Sequence, residues 1–324
     1  MSRILVIGAG AVGQVYAHHF ARGGARVSVF VREKYAEEAR RGFDLIHVHS
    51  RHKRPRSRFV PIDVVTLSSK LGVYDQVWIT VPTPALLSGG LDEVLSSTGA
   101  ATVVSLQPGV SVAAYLADRV QRARTVFGII GFLSFHAPLA GSDDAVEKET
   151  GPGTAYFFPP LVDSQFSGPS DRVRAVVDTA RMGGLPARAI PDAHVALGFS
   201  SSMLMPIVAA LEIDGWSLEA FRGGEGVTLA VRATREAMKI IAAETKVPRP
   251  FAASLLSGSI VRMALGVAKW AAPFDVEAFL RYHFEKVGAQ TRDLLAEYVR
   301  LGRKHALEHE GIDELLGALS RGAK

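Results

Sequence analysis

The chain has 324 residues, 48% of them hydrophobic and 21% charged, with a formal net charge of +5 and no cysteine. That length allows two domains of ordinary size, and the composition excludes a disulfide framework, thiol chemistry and the strongly basic signature of a nucleic-acid binder. No uninterrupted apolar run near the roughly 20 residues of a membrane span is read from the sequence, and the opening residues read as a strand rather than a targeting segment. A cytoplasmic chain with neither membrane nor nucleic acid among its partners is expected.

Arg3 to Ile7 is a short apolar run rich in β-branched residues, the pattern of a strand buried on both faces. It enters Gly8-Ala9-Gly10-Ala11-Val12-Gly13, after which Val12, Val15, Tyr16, His19 and Phe20 follow helical spacing up to Gly23-Gly24. A second strand, Val27 to Val31, ends at Arg32. G-x-G-x-x-G between a strand and a helix is a dinucleotide-binding signature. The first glycine permits the tight turn, the second admits the pyrophosphate, and the third lets helix and strand pack closely. The helix N-terminus offers free N–H groups and a positive dipole end to the phosphates. An acidic residue closing the second strand would bind the ribose 2′-hydroxyl of NAD, whereas arginine accommodates a 2′-phosphate. Arg32 therefore favours NADP(H) as cofactor.

Glu33 to Arg41 reads as a charged helix and Phe43 to Val48 as a strand. The basic run 51–58 reads as a solvated hairpin tip, with Phe59 to Val65 as the returning strand. Val77 to Val81 and Ala101 to Leu106 are further buried strands, ending at Pro82-Thr83-Pro84 and Gln107-Pro108-Gly109. Val112 to Ala123 is a helix and Thr125 to Ile130 a strand. Such alternation gives an open parallel sheet with helices on both faces, whose ligands bind beyond the carboxyl ends of the strands. The cofactor-lining candidates are Gly8, Ala9, Gly10, Ala11, Val12, Gly13, Arg32, Val81, Pro82, Gln107 and Gly109. Thr150-Gly151-Pro152-Gly153 turns into a late strand, Asp171 to Met182 is a helix capped by Ser170 or Asp171, and Ala187 to Ile190 is an edge strand. From Pro191 onward only helices are legible: one from Asp192 kinked by Pro206, Gly226 to Lys246, Phe251 to Trp270, a long segment capped by Asp275, and Ile312 to Leu319. The expected architecture is α/β: a Rossmann-type doubly wound parallel sheet over 1–190 and an all-α domain over 191–324, which would hold substrate and a homodimer contact.

With these pieces in place, the chain resembles the ketopantoate reductase (2-dehydropantoate 2-reductase) family over nearly its full length. The resemblance rests on Ile4 to Gly13 with its helix, Phe30-Val31-Arg32, Ser105-Leu106-Gln107-Pro108-Gly109-Val110, Thr150 to Gly153, and the stretch around Met205-Pro206. It implies an NADPH-binding Rossmann domain, a helical second domain with a substrate cleft between them, and hydride transfer from NADPH to the keto carbon of a branched 2-oxo acid. The family's catalytic lysine would fall near Leu197, and no lysine occurs between Lys148 and Lys239. Two family asparagines correspond to Ser201 and Met205. The family's Gln-Asn-Gly is Gln107-Pro108-Gly109, a lysine after the fourth apolar strand is Pro82 or Thr83, and a late glutamate falls near Arg292 or Leu295.

Reducing a ketone requires a proton as the alkoxide forms, and a positioned acid contributes a factor of about 10²–10⁴. His194, beside the vacated position, is the catalytic candidate, because histidine titrates near neutral pH. Ser200, Ser201 and Met205 are the substrate-lining candidates. His136, the Glu212 and Asp214 carboxylates, and His283 are weighed and read as structural or surface groups. No metal-ligand spacing is found; His18 and His19 are adjacent and face different sides of a helix. The expectation is an NADP(H)-dependent oxidoreductase acting on a small 2-oxo acid-like carbonyl or an imine. The alternatives are a catalytically silent NADPH-binding protein and an enzyme using the same cleft for a non-redox step.

Overall fold

The computed structural model describes residues 1–322, with side chains throughout except at 69, 252, 254, 269, 270 and 322. By contacts it divides into two compact units: Met1–Pro138 with Ala145–His194, and Leu139–Asp144 with Val195–Lys324.

The first unit contains two sheets. Its strands are β1 (Arg3–Ile7), β2 (Arg26–Phe30), β3 (Phe43–His47), β4 (Arg56–Phe59), β5 (Asp63–Val65), β6 (Gln76–Ile79), β7 (Thr102–Ser105), β8 (Thr125–Ile129), β9 (Leu133–Ala137), β10 (Gly153–Phe157), β11 (Ser164–Ser167) and β12 (Ala187–Ala189). The larger sheet has the order β12-β11-β8-β7-β6-β1-β2-β5. Its pairings are parallel except β11 with β8. Helices α1 (Ala11–Arg22), α2 (Ala36–Arg41), α3 (Thr83–Leu87), α4 (Asp92–Ser96), α5 (Ser111–Ala117), α6 (Ala145–Glu149) and α7 (Ser170–Met182) connect the strands. The doubly wound reading of the sequence is the observed one.

Alternation along each strand sends side chains to two cores. On one face Ile4, Val6, Trp78, Val104 and Val126 pack with Tyr16 and Phe20 of α1 and Val176 and Ala180 of α7. Trp78 lies with its ring centroid 4.6 Å from Phe20 and 5.0 Å from Tyr16. Each such large apolar side chain contributes about 1.5–3 kcal/mol by leaving water. On the other face Leu5, Ile7, Val77, Ile79 and Val103 pack with Leu86, Val94, Val112 and Leu116 of α3 to α5.

The smaller sheet, β4-β3-β10-β9, is a separate feature. The hairpin returns through Arg56–Phe59, and Asp63–Val65 leaves it to pair in parallel with β2, so the expected strand over 59–65 is two short strands. Pro61, which has no N–H to donate, lies between them. The basic run 51–58 is not simply solvated. Arg54 forms a 2.7 Å ion pair with Glu147, the two side chains being 8% and 1% exposed, and also donates to Thr150 Oγ1. Arg56 donates to the carbonyls of Thr150 and Pro152. The α7 cap differs as well: Pro169 occupies the N-cap position, and no side chain there caps the helix.

The second unit is helical: α8 (Ala193–Ile213, whose first two residues belong to the first unit), α9 (Leu218–Gly223), α10 (Gly226–Thr245), α11 (Phe251–Ser254), α12 (Gly258–Ala271), α13 (Val276–Lys286), α14 (Gly288–Lys304) and α15 (Glu310–Gly322). Helix α8 continues through Pro206. The expected helix over 251–270 is two, because Ser257 caps α12 by accepting from Ile260 N. The segment after Asp275 also divides, at Val287. By length and mean hydropathy (1.6) α8 could cross a membrane, which the sequence reading did not register; over half of that window is buried inside the protein, as in a core helix.

Candidate functional site

The strands of the large sheet end on an even front. Register places Phe30, Ile7, Ile79, Ser105 and Phe127 side by side, and the first four of these are the last residues of β2, β1, β6 and β7. The loops that follow place Gly8–Gly13, Arg32, Val81–Pro82 and Gln107–Gly109 at that edge, the carboxyl ends of the parallel strands.

The three motif glycines differ in what requires them. Gly8 has φ +96°, and a Cβ there would lie 2.8 Å from Val81 Cγ1. At Gly13 a Cβ would lie 2.0 Å from the Gly8 carbonyl oxygen. Both are therefore needed by the fold itself. Gly10 has φ −73° and ψ −178°, which any residue adopts, and a Cβ there would meet nothing within 4 Å. No intramolecular packing excludes a side chain from this position, whereas the backbone-close approach of a diphosphate would. Gly10 is also the N-cap of α1 and supplies no side-chain acceptor, so the first-turn N–H groups of that helix have no intrahelical or N-cap side-chain partner. The local residues thus fit a dinucleotide: a cradle shaped by Gly8 and Gly13, an open approach at Gly10 and a positive helix end. Thr80, not singled out from sequence, steadies the turn by donating to the carbonyls of Ile7 (2.9 Å) and Gly8 (2.7 Å).

Arg32 is exposed on extended backbone just past β2. Its guanidinium carbon lies 5.2 Å from the Tyr35 ring centroid and Nη2 donates to the Tyr35 hydroxyl at 3.3 Å. Lys34 places Nζ 4.9 Å from the same ring. Hydrogen bonding to Lys34, followed by the Lys34 and Arg32 charges, draws the Tyr35 hydroxyl below its ordinary pKa. Two cations on one aromatic ring form a surface suited to a phosphate beside a flat base. Lys34 and Tyr35 were missed because the sequence reading gave them only to a charged helix.

Gln107 is 3% exposed, and its side chain is committed to the protein. Nε2 donates to the carbonyls of Ile79 and Val81, both at 2.8 Å, while Oε1 accepts from Ser105 Oγ and Leu106 N. It ties the ends of β6 and β7 together, and its amide is fully spent inside the protein. Gly109 has φ +113°, and Thr83 Oγ1 donates to the Pro108 carbonyl at 2.9 Å, closing the two loops on each other.

His194 lies with its ring centroid 5.0 Å from that of Phe127, level with the strand ends but on the α5 face of the sheet. Both belong to a groove of ≈ 660 Å³ also lined by Leu116, Arg122, Ser167 and Asp192. No glycine-loop residue lines that groove. Among the described residues no group of three or more His, Asp or Glu side chains is placed to hold a metal ion.

In the helical unit the α8 hydroxyls bond back to their own helix: Ser200 to Ala196 O, Ser201 to Gly198 O, Ser202 to Phe199 O. Ser200 is exposed, whereas Ser201 and Met205 are each 6% exposed, and Ser201 also accepts from Tyr298 at 2.9 Å. Glu212 and Asp214 do not pair: Glu212 accepts from Arg292 at 2.6 Å, and burial raises the pKa of Asp214. His283 packs against Phe279 and Phe284, and burial, then Lys286, lowers its pKa to about 4.

Residues 4–142 match the family described as ketopantoate reductase PanE/ApbA. No curated protein sequence matches the chain. Among solved structures, a PanE/ApbA family ketopantoate reductase from Ralstonia eutropha is 17% identical, with a TM-score of 0.74 over 97% of this chain and 96% of that one. A 2-dehydropantoate 2-reductase from Methylococcus capsulatus is 18% identical, with a TM-score of 0.70 over 98% and 96%. D-mandelate dehydrogenase with NADH and anilino(oxo)acetate is 13% identical, with a TM-score of 0.71 over 98% and 97%. At these identities the likeness is one of fold, and it extends over both units.

Proposed function

We propose that the chain is an NADP(H)-dependent oxidoreductase of the ketopantoate reductase type, moving hydride between the cofactor and a small 2-oxo acid-like carbonyl or an imine. The observation that carries this reading is Gly10, a glycine that neither its backbone angles nor its neighbours require, at the N-terminus of α1. The match of residues 4–142, which include this glycine, to the ketopantoate reductase family also supports it.

In this reading the Gly10 to Gly13 backbone binds the diphosphate, and Arg32 and Lys34 hold the 2′-phosphate while Tyr35 lies beside the adenine. A bound dihydronicotinamide supplies the hydride. The substrate oxygen must then gain a proton. Helix α8 carries no lysine, since none occurs between Lys148 and Lys239. His194, at the start of that helix, is the titratable candidate for this proton, although the groove it lines contains no glycine-loop residue, and its role rests on the His194→Ala measurement below.

Fluorescence titration with NADPH and NADH tests cofactor binding. The wild type is expected to prefer NADPH, and Arg32→Ala to lose about tenfold or more of NADPH affinity while NADH affinity holds. Equal NADPH affinity in both proteins overturns the role of Arg32. Loss of nicotinamide absorbance is then followed across 2-oxo acids, aldehydes and imines. Tight NADPH binding with no oxidation by any of them overturns the oxidoreductase reading in favour of a silent NADPH-binding protein. Unchanged turnover in His194→Ala removes that residue as the acid.

A further inference from the structure

Behind the glycine loop runs a buried polar chain that packing does not explain. Gln14, in the first turn of α1 and 5% exposed, donates from Nε2 to the Ala9 carbonyl at 2.8 Å. A carbonyl only accepts, so the amide orientation is fixed and Oε1 faces the other way. There it accepts from Thr154 Oγ1 of β10, a residue 2% exposed and 140 positions away. With its proton given to Gln14, the Thr154 oxygen can only accept from a third group. His136 of β9 approaches it with Nδ1 at 3.4 Å and, in its Nδ1–H tautomer, would donate to it.

The effect on the loop follows from peptide geometry. In a planar trans peptide the carbonyl and the next N–H point in opposite directions. Holding the Ala9 oxygen inward on Gln14 therefore turns the Gly10 N–H outward, on the residue that leaves the open approach. We propose that Gln14 and Thr154, completed by His136, are positioning residues that hold the Gly10 N–H toward a dinucleotide diphosphate. The smaller sheet thereby braces the cofactor loop, through Thr154. This inference rests on the dinucleotide reading above and deepens it.

The test compares NADPH with adenosine 2′-monophosphate, which has the 2′-phosphate and base but no diphosphate. Leaving Gln14 Oε1 buried without its donor is expected to cost Thr154→Val about tenfold in NADPH affinity. Affinity for adenosine 2′-monophosphate stays unchanged, and Thr154→Ser, which keeps the hydroxyl, restores NADPH binding. Thermal melts establish folding; should Thr154→Val fail to fold, Gln14→Met is measured in the same way with the same expectation. Wild-type NADPH affinity in the variant, or equal loss for both ligands, overturns the positioning role while leaving the dinucleotide reading intact. Failure of the wild-type protein to bind NADPH or NADH overturns both. The ring-nitrogen NMR shifts of neutral His136 give a second readout: an Nε2–H tautomer overturns its part in the chain.

Discussion

Gly10 and Gly13 lie three residues apart and answer to different demands. Gly13→Ala would drive a Cβ to 2.0 Å from the Gly8 oxygen, so α1 or the turn must shift. A loss of about 1–3 kcal/mol in denaturant unfolding is expected. Gly10→Ala enters open space on an unstrained backbone, and because alanine is the poorer N-cap it should cost no more than about 1 kcal/mol, less than Gly13→Ala. NADPH affinity should nevertheless fall by about tenfold or more, because the methyl occupies the approach of the diphosphate. A Gly10→Ala protein that binds NADPH normally would contradict the assignment of this loop. The glycines were legible in sequence because their spacing is local and their surroundings, a strand and a helix, are equally local. Thr154 was not, since its partner Gln14 is 140 residues away and nothing in the spacing of either announces the other.

Secondary-structure elements were legible where periodicity and a stop signal agreed, as in α1 ending before Gly23-Gly24. They were misread where a cap lies inside an apolar run, as at Ser257, or where a proline separates two short strands, as at Pro61. Another element end depends on a side chain from elsewhere. Glu236 of α10, 6% exposed, accepts from Gly311 N (3.2 Å) and Ile312 N (3.1 Å) in the first turn of α15. It serves that helix as a cap residue would, although it lies 75 residues away. Glu236→Ala should therefore cost about 1–2 kcal/mol in chemical denaturation, measured as a lower midpoint. Glu236→Gln, which keeps one acceptor oxygen, should lose less; equal stability of all three proteins would show that solvent serves these N–H groups as well.

At the scale of the molecule, the large sheet was legible and the small one was not. Parallel β-α alternation is a local pattern, whereas β3 meets β10 across more than a hundred residues. The joint between α1 and the small sheet also concentrates imidazoles. His18 donates or accepts at Ser57 Oγ, His19 lies between Tyr156 and Gly183 O, and His47 stacks on Tyr156. Burial, reinforced by neighbouring His and Arg22 charges, lowers the pKa of His18 and of His47 from 6.5 to about 4. It also lowers that of His19, against a hydrogen bond to Gly183. Between pH 6.5 and 4 the unfolded chain thus binds more protons than the folded one, so stability is full above 6.5 and declines as pH falls toward 4. Thermal melts should show Tm falling on the order of 5 °C between pH 7.5 and pH 5, with a shallower fall in His47→Gln. A Tm that is flat or rising over that interval would contradict this account.

The division of the chain into two units has a consequence for anyone exchanging its halves with those of a relative. Leu139–Asp144 lies between β9 and α6 in sequence but counts with the helices, where Leu139 is 3% exposed and Ser142 Oγ bonds to Asp275, the cap of α13. A chimera spliced once, near residue 194, would combine one parent's six-residue excursion with the other parent's helices. Three junctions rather than one define a clean exchange, and a gene fragment stopping at His194 would display a leucine and a serine evolved for an interior it no longer encodes.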